Sequence, residues 1–141
     1  MAGMARRVAA AGFEAVTFDL RGAGNSSGSC TFRNKSERED LLAVLRHVEH
    51  PSRRPIFLVG SSAGAALAGS VLDASPAVLG GLFVGYTWGW CASLLFGWAF
   101  ESIQRSTKPK LFVVGTADEF TSMGQYEWRV RGLGGRLNEV A

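Results

Sequence analysis

Cysteine is scarce: the 141 residues contain two, Cys30 and Cys91. They lack the short spacing of a metal-binding or redox pair, so both are expected as reduced thiols of a cytoplasmic protein. Charge is also thin. Asp, Glu, Lys and Arg make up 19% of the chain, and 15 basic against 12 acidic side chains leave a net charge of +3. The arginines are scattered and form no basic stripe, so nucleic acid is not expected as a partner. Histidine occurs twice, at His47 and His50. No cluster of His, Cys, Asp or Glu has ligand spacing and there is no phosphate-binding loop, so neither a metal nor a cofactor is expected. Low-complexity tracts are absent too, and a hydrophobic content of 47% excludes compositional disorder.

A leader peptide is not expected. The stretch from Met1 to Asp19 has Arg6-Arg7 before apolar residues, but Glu14 interrupts it and no cleavage site follows, which suits a helix leading into a strand. Pro55 to Leu72 and Ala74 to Phe100 contain no charged residue and are long enough to cross a bilayer. Both break around Gly, Ser and Pro clusters into strand-like and helix-like halves, so no membrane contact is expected.

What the chain has in surplus is glycine, 18 residues of 141, near twice the usual share of about 7%. Around these glycines, helical and strand-like segments alternate. Met4 to Ala11 is a predicted helix stopped by Gly12, and Glu14 to Leu20 a predicted strand. Arg21 to Phe32 is a Gly/Ser loop. The next helix opens on Ser36-Glu37-Arg38-Glu39, where Ser36 and Glu39 have capping-box spacing, shows an apolar face of Leu41, Leu42, Val44, Leu45 and Val48, and ends at Pro51. Its two histidines lie off that face and are expected in solvent. Ile56 to Val59 is short, apolar and β-branched, as suits a strand buried on both faces. Gly60 to Gly64 turns it into a small-residue helix, Ala65 to Ala74. Val78 to Val84 and Lys110 to Val114 are further strands, and Ala92 to Arg105 and Met123 to Arg131 further helices. Strands separated by helices imply an α/β fold: a three-layer α/β/α sandwich on a mostly parallel sheet of about four strands.

Three stretches bear on chemistry. The first is Gly60-Ser61-Ser62-Ala63-Gly64, a G-x-S-x-G pentapeptide between a buried strand and a helix. A serine at such a sharp turn adopts strained dihedrals, and the residues two away on either side must be tiny for strand and helix to approach. That geometry would lift the Ser62 hydroxyl clear as a nucleophile, while the Ala63 N–H at the helix start would donate to an oxyanion. The plainer alternative is a helix cap or an anion site.

The second is Phe18-Asp19-Leu20-Arg21-Gly22-Ala23-Gly24-Asn25-Ser26. A dinucleotide fingerprint would need a third glycine where Ser27 stands and a helix starting at the loop, and neither is present. The third is Gly115-Thr116-Ala117-Asp118, which follows a buried strand. Asp118 thus stands at a strand's carboxyl end, where sites of parallel sheets gather. Capping of the last helix falls better to Ser122, with Gln125 three residues on.

Taken together, these residues resemble the α/β-hydrolase superfamily, and more narrowly its serine-aminopeptidase-like and dienelactone-hydrolase-like branch. The resemblance rests on Asp19, Arg21, Gly22, Gly24 and Ser26, on the Gly60 to Gly64 elbow, and on the Gly115 to Asp118 turn, in the family's order. It implies a serine hydrolase that transfers the acyl group of a small-molecule ester, thioester or amide, with Ser62 as nucleophile, Asp118 as triad acid and Ala63 as an oxyanion donor. The family's histidine follows the acid, whereas both histidines here precede Ser62. Gly135 to Ala141 looks like the start of the strand that leads to that histidine. A family strand and oxyanion loop would stand ahead of Met4. Residues 1–141 are therefore expected to form a single partial domain, truncated at both ends, with a sheet gap or a direct pairing of Glu14–Leu20 with Ile56–Val59. A cap-like segment is expected at about 86–107. Its aromatics, Trp88, Trp90, Phe96, Trp98 and Phe100, suit an acyl pocket or simply core. The rival functional expectation is a catalytically incomplete hydrolase fragment without turnover.

Overall fold

The computed structural model describes residues 2–31, 34–52, 54–88, 99–118 and 121–133. The chain divides into two compact units, Met1–Cys30 and Thr31–Ala141. In the first, α1 spans Ala2–Ala10 and stops at Gly12, whose φ of +90° no helix continues through. Glu14 to Leu20, expected as a strand, has no ladder. Its pattern of Val16 and Phe18 meets the local requirement for a strand, but a strand exists only through backbone pairing with a neighbour. The loop that follows is closed on itself. Asn25 N–H donates to Asp19 Oδ2 at 3.3 Å, Ser26 Oγ donates to the Asp19 carbonyl at 2.7 Å, and Gly22 N–H donates to the Ser27 carbonyl at 3.2 Å.

The second unit is a parallel α/β arrangement. Helix α2 (Lys35–Ser52) leads to β1 (Ile56–Ser61), α3 (Ala63–Ser70) and β2 (Val78–Val84). Residues 99–105 are helical (α4), followed by β3 (Lys110–Val113) and α5 (Met123–Arg131). The sheet order is β1-β2-β3, with both pairs parallel. The uncharged stretch from Pro55 to Leu72 breaks into β1 and α3, and among the described residues no helix is long and apolar enough to cross a membrane.

Helix α2 starts two residues earlier than a cap at Ser36 implied, and Glu39 lies exposed beside Arg38 at 3.5 Å. Glu37 takes the inward position instead. It is 1% exposed, and its carboxylate accepts from the Thr31 N–H and, at 2.5 Å, from the Thr31 hydroxyl. The last helix behaves as its sequence suggests: Ser122 Oγ accepts from Gln125 N–H while Gln125 Oε1 accepts from Ser122 N–H, closing the box.

Register fixes what faces the core. Leu58 pairs beside Gly81 and Gly60 beside Phe83, which in turn pairs beside Phe112. Leu58, Phe83 and Phe112 are buried with Ala65, Ala66 and Ala68 of α3, whose small side chains let that helix lie close on β1 and β2. On the other face of β1, expected to be buried as well, Phe57 and Val59 are 64% and 40% exposed. Among the described residues β1 is laddered to β2 alone, and α3 packs on the face that carries Leu58 and Gly60.

Polar side chains seal the amino end of the sheet. Lys108 Nζ donates to the Leu72 and Ser75 carbonyls at 2.9 and 2.7 Å, Ser106 Oγ donates to Asp73 Oδ1 at 2.9 Å, and Ser75 Oγ donates to Glu49 Oε1 at 2.8 Å. Lys110, 5% exposed, donates to the Ser106 carbonyl at 2.5 Å.

Candidate active site

Strand β1 runs straight into α3 with only Ser62 between them, and that residue makes the whole change of direction. Its dihedrals, φ 52° and ψ −126°, are ones an L-residue adopts only under strain. The neighbouring structure holds it there. Ser62 N–H donates to the Val84 carbonyl at the end of β2 at 2.9 Å, and the Ser62 carbonyl accepts from Ala65 N–H at 2.9 Å. A side chain on Gly60 would meet Ala65 Cα at 2.6 Å and the Gly64 carbonyl closer still, so this position requires glycine. Gly64 differs: nothing described lies within 4 Å of a Cβ placed there. The steric demand read into both glycines belongs to Gly60 alone, because it is the backbone of Gly64 and Ala65, not a side chain at position 64, that approaches β1.

The Ser62 side chain makes no capping hydrogen bond and is exposed. This separates it from an ordinary N-cap serine, whose hydroxyl accepts from the first turn of its helix. Ala63 opens α3, where backbone N–H groups have no intrahelical partner. A hydroxyl and unengaged N–H groups thus share one turn at the carboxyl end of β1.

Asp118 stands after β3, half-buried, at the same end of the sheet. Its N–H donates to the Gly115 carbonyl at 3.1 Å, and its Oδ1 accepts from Thr121 N–H at 3.0 Å. With Ser122 capping α5, the Asp118 carboxylate is not a helix cap. Between the two sites lies the end of β2, where Gly85 takes φ +57° and donates to the Val113 carbonyl at 2.8 Å. Strands one place apart lie about 4.8 Å from each other, so the ends of β1 and β3 stand roughly 10 Å apart.

An aromatic cluster underlies these strand ends. Tyr86 stacks on Trp88 with centroids 4.3 Å apart, and Phe83, Phe100 and Phe112 surround them at 5.3 to 5.9 Å. Burial pushes the Tyr86 phenol well above its ordinary pKa. Of the aromatics expected as pocket or core, Trp88 and Phe100 are core; Trp90, Phe96 and Trp98 lie outside the described residues, as do Cys91 and Gly135 to Ala141. His47 is exposed, as its position off the apolar face of α2 implied. Thr121 and Gly85 carried no signal in the sequence, since neither belongs to a motif or a periodic face.

The match with known proteins follows the same geometry. The model of the family described as serine aminopeptidase, S33, a family of hydrolases, matches residues 1–85, more than half of the 141. The chain belongs to this serine aminopeptidase family. Among solved structures, an alpha-beta serine hydrolase homologue from Coxiella burnetii is 30% identical, with a TM-score of 0.69 over 86% of this chain and 57% of that one. An esterase from Pyrococcus furiosus, 18% identical, gives a TM-score of 0.77 over 94% of this chain and 63% of its own. The esterase domain of a Rhodothermus marinus protein, 15% identical, gives 0.62 over 77% and 58%. The last two share the α/β-hydrolase fold. The chain therefore spans about three fifths of the length of these structures. No curated protein matches it.

Proposed function

We propose that this chain carries the nucleophile, acid and oxyanion elements of a serine hydrolase that acts by acyl transfer on small-molecule esters, thioesters or amides. The observation that supports this most is Ser62 itself, held in strained dihedrals at a strand-to-helix turn with its hydroxyl exposed and out of the helix cap. Strain of this kind persists where the surrounding structure enforces it, and it clusters at functional sites. In this reading Ser62 Oγ attacks the acyl carbonyl and the leaving alcohol, thiol or amine departs with a proton. Water then releases the acyl group from the serine. The Ala63 N–H faces the negative charge that develops on the carbonyl oxygen. Asp118, whose carboxylate packs against the end of β2, would orient a base set between it and Ser62. The histidines of this sequence are His47 and His50 alone. Cys30, an exposed free thiol, fits a cytoplasmic setting.

A fluorophosphonate activity probe tests the reading. Labelling of the wild type that disappears in Ser62→Ala supports a working nucleophile. A folded wild type that takes no label supports instead the catalytically incomplete fragment, which keeps the elbow without turnover.

A further inference from the structure

Asp118 is held by a residue outside every motif. Thr121 is 2% exposed; its N–H donates to Asp118 Oδ1 at 3.0 Å, and its hydroxyl accepts from Trp88 N–H at 3.0 Å. Trp88, also 2% exposed, belongs to the segment that leaves β2 through Gly85 and is wedged by its stacking on Tyr86. On the other side of the carboxylate, a Cβ on Gly85 would lie 3.9 Å from Asp118 Oδ2, so the acid packs against the end of β2. A single buried side chain thus ties the loop after β3 to the segment after β2, the strand that separates Ser62 from Asp118.

A carboxylate on an irregular loop has several rotamers, and a backbone donor three residues on selects among them only if that donor is itself fixed. Thr121 meets the condition, because its hydroxyl is the acceptor for a buried backbone N–H that has to be satisfied. We propose that Thr121 is a positioning residue for Asp118. The Trp88 N–H bond anchors Thr121, the Thr121 N–H holds Oδ1, and Oδ2 is thereby kept on the side of β2, the direction in which Ser62 stands. This inference rests on the Ser62 and Asp118 roles proposed above and adds the device that sets the acid's orientation.

The test measures fluorophosphonate labelling rates of the full chain, below each variant's unfolding midpoint, together with hydrogen exchange at the Trp88 amide. Thr121→Val keeps the shape and loses the acceptor. It is expected to slow labelling about ten- to a hundredfold, the scale of a small misplacement near the chemistry, and to speed exchange at Trp88. Thr121→Ser keeps the hydroxyl and is expected to stay within about threefold of wild type on the same scale. A residue that acts only through Asp118 has nothing to add once the acid is gone, so Thr121→Val is expected to have no further effect in an Asp118→Asn background. If Thr121→Val does not fold, Thr121→Ala takes its place in each comparison. A wild-type rate in the folded variant, or full additivity with Asp118→Asn, overturns the positioning role and leaves the Ser62 reading intact. A wild type that takes no label overturns that reading, and this inference with it.

Discussion

Ser62 and Gly60 show how strain at one residue is enforced by sterics at another. The Ser62 dihedrals suit glycine and oppose any side chain, so Ser62→Gly is expected to be more stable than Ser62→Ala by about 1–3 kcal/mol, the usual scale of such strain. Thermal unfolding of the two variants measures the difference, and equal midpoints would mean that the turn stores no strain. Gly60 and Gly64 give an opposed pair. A methyl group on Gly60 collides with the backbone of α3, whereas one on Gly64 meets open space in a helix. Gly60→Ala is therefore expected to cost about 1–3 kcal/mol through overpacking, and Gly64→Ala to gain up to about 1 kcal/mol from helix propensity. Urea denaturation of the two separates the readings, since a pentapeptide with symmetrical demands would lose stability at both ends. The motif made Ser62 legible from sequence because it fixes a local backbone shape. It could not show which glycine the close approach falls on, for that depends on the angle at which α3 leaves β1.

Among the elements, β2 and α5 lie where the sequence put them, and for both the signal is short-range: an apolar run between turn residues, and a reciprocal Ser122–Gln125 cap. Glu14 to Leu20 has strand chemistry and no ladder, because pairing is a property of the neighbour and not of the segment. At the opening of α2 the spacing favoured Ser36 with Glu39, yet Glu37 is the buried carboxylate, drawn in by Thr31 across a turn that periodicity does not register. Lys110 sits at the start of β3, where a lysine breaks an otherwise apolar strand. Burial lowers its pKa from 10.5, and the charge of Asp73 opposes the shift only in part. Its folded pKa thus lies below its unfolded one. Between the two values the unfolded chain binds more protons than the folded one, so this group's contribution to stability rises with pH across that window and is flat below it. Urea midpoints followed as the pH rises toward the ordinary lysine value of 10.5 are expected to show an upward component that Lys110→Met abolishes. A downward component carried by Lys110 would mean that the Asp73 charge outweighs burial.

At the scale of the whole molecule, the legible part was the order of parts: an elbow after one parallel strand, an acid after another two places along the sheet, and a helix between consecutive strands. What the sequence could not convey is which faces those strands keep covered, since a run such as Ile56 to Val59 is equally apolar whether one side is buried or both. The structure leaves Phe57 and Val59 of β1 exposed, as is Leu79 of β2 at 45%, and among the described residues β1 is laddered along one edge. An apolar face next to open backbone donors and acceptors is where chains associate. The chain is therefore expected to self-associate as its concentration rises, and Phe57→Lys to weaken that association while changing unfolding free energy by no more than about 0.5 kcal/mol, as for a surface site. Trp128 provides the control: it is 70% exposed on α5, a helix, beneath the Arg129 guanidinium. Trp128→Lys should leave association as it is. Sedimentation velocity across a concentration series reads the association and urea unfolding reads the stability. Should Phe57→Lys unfold the chain outright, Phe57 would be a buried residue of the working protein, and the β1 face would be part of its core.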